Sequence, residues 1–163
     1  MAQDTFILGS YDCVSGSLIL AGLLDYFGFD YEIKETTYYV FSKVKVDNEF
    51  IVLEVTDPIN GFILDKEAQK AYMEKYQSAE AAPNQWSVLT TNQGDNAPAI
   101  YRSINFQNLI GLQYFNQAIN HYNNKNELLA YQFSVIALKM YKAEKIIGFS
   151  DFLKHNLLLS ASR

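Results

Sequence analysis

The stretch Tyr11-Asp12-Cys13-Val14-Ser15-Gly16-Ser17-Leu18-Ile19-Leu20-Ala21-Gly22-Leu23-Leu24-Asp25-Tyr26-Phe27-Gly28 decides the reading of this chain. Asp12 suits a helix N-cap, because its carboxylate accepts from the free N–H groups of the first turn. Gly28 suits the stop, because glycine takes the left-handed conformation past the last turn at little steric cost. Between them Leu18, Ile19, Leu20, Ala21, Leu23, Leu24 and Phe27 are apolar almost all the way round, which predicts a buried helix. The only cysteine opens it. A helix N-terminus stabilises anions and so favours thiolate over thiol. The bland alternative is a small buried hydrophobe, the commoner fate of a free cysteine.

Downstream of Gly28, residues 29–34 alternate apolar and charged, as a half-buried strand does. Residues 36–46 are rich in β-branched and aromatic side chains and predict a second strand, and residues 50–56 a third. Asp57-Pro58 ends it, since proline cannot donate to a ladder. A hairpin turn is expected at Asp47-Asn48-Glu49. With that three-residue loop Val46 faces Phe50, and counting back sets Tyr39 opposite Asp57 on one sheet face. A two-residue loop breaks this pairing.

Residues 65–76 predict an exposed helix with favourable charge spacing. Residues 77–102, punctuated by Pro83, Gly94 and Pro98, predict a linker or long loop, pinned by Trp86. From Ser103 the pattern is helical. Phe106, Leu109, Ile110, Tyr114, Ala118, Ile119 and Tyr122 recur at helical spacing, and residues 123–126 are a turn. Leu128 to Tyr141 predicts a second helix, antiparallel to the first, and Phe149 to Leu159 a third. The expected fold class is α+β: a buried Cys-bearing helix on a small antiparallel sheet, then a C-terminal helical hairpin.

Length and composition set bounds on function. The 163 residues suit one domain with an appendage, and a 49% hydrophobic share is ample for a core. A net charge of −5 without a basic cluster argues against a nucleic-acid partner. One cysteine excludes an internal disulfide. The longest apolar run, within residues 18–24, is too short to span a bilayer. No phosphate loop, metal-ligand cluster or nucleophilic serine motif is present, so neither cofactor nor metal is expected. Residues 1–5 lack the charge and apolar run of an export signal. A cytoplasmic location is the default, with export the alternative if a leader was removed from a longer precursor.

The order of these parts resembles a transglutaminase-like domain, a trimmed relative of the papain fold. A cysteine opens a buried helix (residues 11–16), a strand carries an aromatic-flanked site (residues 36–41), and the next strand ends in acid and proline (residues 54–62). The resemblance implies a core over residues 1–76, which fits a chain cut from a longer protein. It also implies a tetratricopeptide-like tail over residues 103–163, with Gly111, Tyr114, Ala130 and Ala137 in the small-large-small pattern. The family's triad is Cys, His, Asp in that order. Carried onto this chain it gives Cys13, Tyr39 and Asp57, with tyrosine where the histidine belongs. The only histidines are His121 and His155, both in the tail.

A phenol, neutral at pH 7, can bond a carboxylate but cannot take a thiol proton. The resemblance therefore implies a remnant triad, with the Cys13 backbone amide as an oxyanion candidate. Cys13 is expected to titrate not far below a free thiol and to alkylate slowly. The implied role is binding of a peptide or protein. The alternatives are a thiol peptidase or acyltransferase with a non-standard base, and an interaction module acting through the tail. Glu35 and Glu54 are read as solvated strand carboxylates.

Overall fold

The computed structural model describes residues 11–37, 39–77 and 101–161, so Tyr38 and Trp86 lie outside the described residues. The elements are α1 (Cys13–Phe27), β1 (Tyr31–Thr36), β2 (Val40–Val46), β3 (Glu49–Leu53), β4 (Phe62–Ile63), α2 (Lys66–Gln77), β5 (Tyr101–Ile104), α3 (Phe106–Asn123), α4 (Glu127–Met140) and α5 (Glu144–Ala161). The fold class is α+β. Among the described residues, five helices accompany one antiparallel sheet of order β4-β3-β2-β1-β5. They divide into two compact units, one of residues 11–77 with 101–106, the other of residues 107–161.

In the first unit α1 begins and ends where its caps require. The Asp12 carboxylate accepts from the Ser15 N–H at 2.7 Å, and Ser15 Oγ accepts from the Asp12 N–H at 2.9 Å, closing a capping box. Gly28 takes the left-handed conformation, φ +72°. The helix is not buried all round. Leu23, Tyr26 and Phe27 are exposed, whereas Val14, Ser15, Gly16, Ser17, Ala21 and Leu24 are buried. The buried face is the small-residue face, because only small side chains let the helix lie close to the sheet. A Cβ on Gly16 would come within 2.6 Å of the Val55 side chain.

One sheet face carries Tyr31, Ile33 and Glu35 of β1, opposite Val44, Ser42 and Val40 of β2. α1 lies over this face. The Tyr31 hydroxyl donates to Asp25 near the helix end at 3.0 Å, and Ser17 Oγ lies 3.5 Å from the Val40 carbonyl oxygen. The Cys13 end of α1 is therefore at the Glu35–Val40 end of the sheet. The opposite face receives α2, with Phe41 and Tyr72 edge to face at 5.3 Å.

The strands depart from expectation in three places. First, the chain turns between Thr36 and Tyr39. Thr36 N–H donates to the Tyr39 carbonyl at 2.8 Å, and Tyr39 N–H donates to Thr36 Oγ1 at 2.9 Å. A threonine hydroxyl closes this turn in place of the usual glycine or asparagine, so residues 36–46 do not form one strand.

Second, the β2–β3 loop has two residues, Asp47 and Asn48, with Val46 paired to Glu49 and Lys45 to Phe50. Asp47 takes the left-handed φ of +54° that such a tight loop needs. The three-residue loop is thus corrected, and with it the pairing of Tyr39 with Asp57. Third, Tyr101–Ile104 is a strand. It pairs with β1 at the end of the expected linker, so the tail helix starts at Phe106 rather than Ser103.

The second unit is helical. Leu109, Leu112, Phe115 and Ala118 of α3, Ala130 and Ala137 of α4, and Ile146, Phe149 and Leu153 of α5 are buried. α3 and α4 run antiparallel. A Cβ on Gly111 would come within 2.6 Å of Tyr141 just past α4, while the His121 ring near the other end of α3 meets the Phe133 ring, tilted, at 4.8 Å. α5 starts at Glu144 and runs through Gly148, so it begins well before the expected start at Phe149. Among the described residues no helix is long and apolar enough to cross a membrane.

Candidate functional site

Cys13 is the first residue of α1 and is half-buried. Its sulfur lies against the start of β2, where the Val40 N–H is directed at it. Burial is the largest influence and pushes the thiol above its ordinary value. The Val40 N–H pulls it down, the Asp12 and Glu54 carboxylates push it up, and Cys13's own N–H pulls it down. The upward influences win. This corrects the expectation of a value below that of a free thiol, because desolvation outweighs the helix N-terminus. The Cys13 amide, the oxyanion candidate, reaches its own sulfur.

Glu54 and Glu35 are not solvated, as the sequence reading had them. Glu54 is buried just past β3. It accepts from the Thr56 N–H at 2.7 Å and from the Thr56 hydroxyl. Its charge opposes ionisation of the Cys13 sulfur. Glu35 is fully buried on the α1 face and takes an ion pair from Arg102 of β5. Neither environment was legible, because period-two alternation does not say how deeply a strand carboxylate sits.

Asp57 holds its own turn. Its Oδ1 accepts from the Asn60 N–H at 2.9 Å and the Ile59 N–H at 3.2 Å, and its carbonyl accepts from the Gly61 N–H at 2.8 Å. Gly61 is required there, since a Cβ would fall 2.0 Å from the Glu54 carbonyl oxygen. Tyr39 sits at the turn before β2, opposite Thr36, with its side chain 40% exposed. The structure thus brings Cys13 to the main chain of the residue after Tyr39, and the carboxylate charges that act on the sulfur are those of Asp12 and Glu54. Both histidines belong to the helical unit. Among the described residues no cluster of three or more metal-ligating side chains occurs.

The chain matches no family model, no curated protein and no solved structure.

Proposed function

We propose that the first unit is a transglutaminase-like, papain-type domain without a working general base, and that it binds a peptide or protein rather than turning it over. The observation that carries this reading is the environment of Cys13. The thiol sits in the first turn of a helix laid on an antiparallel sheet, against the start of the second strand, yet burial and two carboxylates keep it protonated. A nucleophile of this class needs a neighbour that takes its proton near neutral pH. Tyr39, at the family's base position, supplies a phenol. In the same reading the helical unit is a tetratricopeptide-like tail.

The pH dependence of iodoacetamide labelling, with Cys13→Ala as blank, tests the proposal. The wild type labels slowly at neutral pH, with a rate that climbs only above the ordinary thiol range. If residue 39 is the base position, Tyr39→His raises the rate near pH 7, because it restores an imidazole there. Fast wild-type labelling at pH 6 would instead favour a working thiol peptidase or acyltransferase. An unchanged rate in folded Tyr39→His removes Tyr39 from the base position.

A further inference from the structure

The outward side of α1 is apolar where a helix on a protein surface carries polar side chains. Leu23 is 51% exposed, Tyr26 81% and Phe27 68%. Ile19, Gly22, Leu23 and Tyr26 recur at i, i+3, i+4 and i+7, the spacing of one helix face. Asp25 is the only charged residue of the helix; it lies off that face and accepts from the Tyr31 hydroxyl at 3.0 Å.

Gly22 falls within this stripe. A glycine weakens a helix interior relative to alanine, so it calls for a packing reason. Gly16 and Gly111 have one, since a Cβ on either would come within 2.6 Å of a neighbouring side chain. On Gly22 a Cβ would meet nothing within 4 Å among the described residues. The gap it leaves therefore opens outward, beside the exposed Leu23 and Tyr26.

The stripe complements a second copy of itself. When two α1 helices lie antiparallel about a two-fold axis between Gly22 and Leu23, Leu23 enters the gap at the partner's Gly22, and Ile19 meets the partner's Tyr26. Such a contact sets identical patches together, so charges on it would oppose their own kind, and this stripe carries none. A basic or acidic partner would find no opposite charge on it. At ~200 Å² for a ring and somewhat less for a leucine, Leu23, Tyr26 and Phe27 expose roughly 400 Å² per copy. Two copies cover on the order of 800 Å², the size of a weak dimer that forms with rising concentration.

We infer that the outward stripe of α1 is a self-association surface, and that two copies of the chain pair through antiparallel α1 helices with Leu23 of each seated at the partner's Gly22. Cys13 lies about 14 Å along the helix from Gly22, so the contact leaves the thiol end of each helix outside it. Association and thiol chemistry are therefore tested separately.

Sedimentation equilibrium of the full chain is the test. The average mass should rise with concentration from 18.6 kDa toward twice that value. Gly22→Leu fills the gap with a better helix former, so the helical circular dichroism signal should be undiminished while association weakens at least about tenfold. Leu23→Asp sets like charges together near the two-fold axis and should weaken association as much; should Gly22→Leu not fold, it decides alone. Ile59→Asp, at an 87% exposed residue of the Asp57 turn, should leave association unchanged. A mass that stays at 18.6 kDa up to about 1 mM chain overturns the inference. So does a dimer that Leu23→Asp leaves intact, or one that Ile59→Asp abolishes.

Discussion

Glu35 on β1 and Arg102 on β5 are direct register partners, with Nε 2.9 Å from Oε2, although 67 positions separate them in the chain. The carboxylate is fully buried and the guanidinium half-exposed, so the two ends of the pair are not equivalent. Removing Arg102 alone takes the ion-pair partner from a buried charge, whereas removing both charges leaves no such charge behind. Arg102→Gln should therefore cost about 3 kcal/mol in urea unfolding, and Glu35→Gln/Arg102→Gln less than Arg102→Gln alone. A single variant as stable as wild type would mean that the other groups around Glu35 satisfy its charge without Arg102.

Glu54 should control how acidic Cys13 is. Among the influences on the thiol, burial is largest, and the Glu54 charge adds to it in the same direction. Glu54→Gln removes that charge, so the labelling profile should move to lower pH without reaching that of a free thiol. The thiol's folded value lies above its unfolded one. Its contribution to stability is therefore full below the ordinary thiol range and lost as pH rises through the raised value. An unmoved profile in Glu54→Gln would show that the Glu54 charge does not act on the thiol.

Tyr31 should be a late-titrating tyrosine of the first unit. Burial and the hydrogen bond it donates to Asp25 push its phenol up to about 12. Sign follows as for the thiol: the contribution is present below the unfolded value near ~10 and is lost as pH rises to the folded one. Asp25→Asn removes the carboxylate and should lower the Tyr31 titration, followed by carbon NMR of labelled tyrosine. An unshifted Tyr31 in Asp25→Asn would assign the whole effect to burial.

In the helical unit Ala137 is fully buried. A larger side chain there overpacks the helix contact. Ala137→Phe should cost on the order of 1–3 kcal/mol, read as a lower melting temperature. An unchanged melting temperature would place Ala137 outside the core.

Much of the fold is legible because its signals are local. Asp12 and Gly28 bracket α1 through cap geometry that depends on a few residues either side. The turn at residues 123–126 holds as expected, with Asn126 capping α4 by accepting from the Leu129 N–H at 3.2 Å. The turn after Thr36 escaped notice because its closing group is a threonine hydroxyl, which strand propensity counts as a strand residue. The hairpin register failed by one residue. Nothing in Asp47-Asn48-Glu49 announces that Asp47 takes a left-handed φ and shortens the loop, and one residue of slip was enough to remove Asp57 from Tyr39.

The sequence by itself determined that a cysteine opens a capped helix, that antiparallel strands follow it, and that the tail beyond residue 105 is helical, since capping, alternation and helical spacing are properties of neighbouring residues. The surroundings of that cysteine were decided by the tertiary structure alone. Glu54, Val40 and the Glu35–Arg102 pair reach the Cys13 end of the sheet through strand register and the close approach of a small-residue helix face. The charge state of a thiol depends on what such long-range packing removes from water, and that is written in no local pattern.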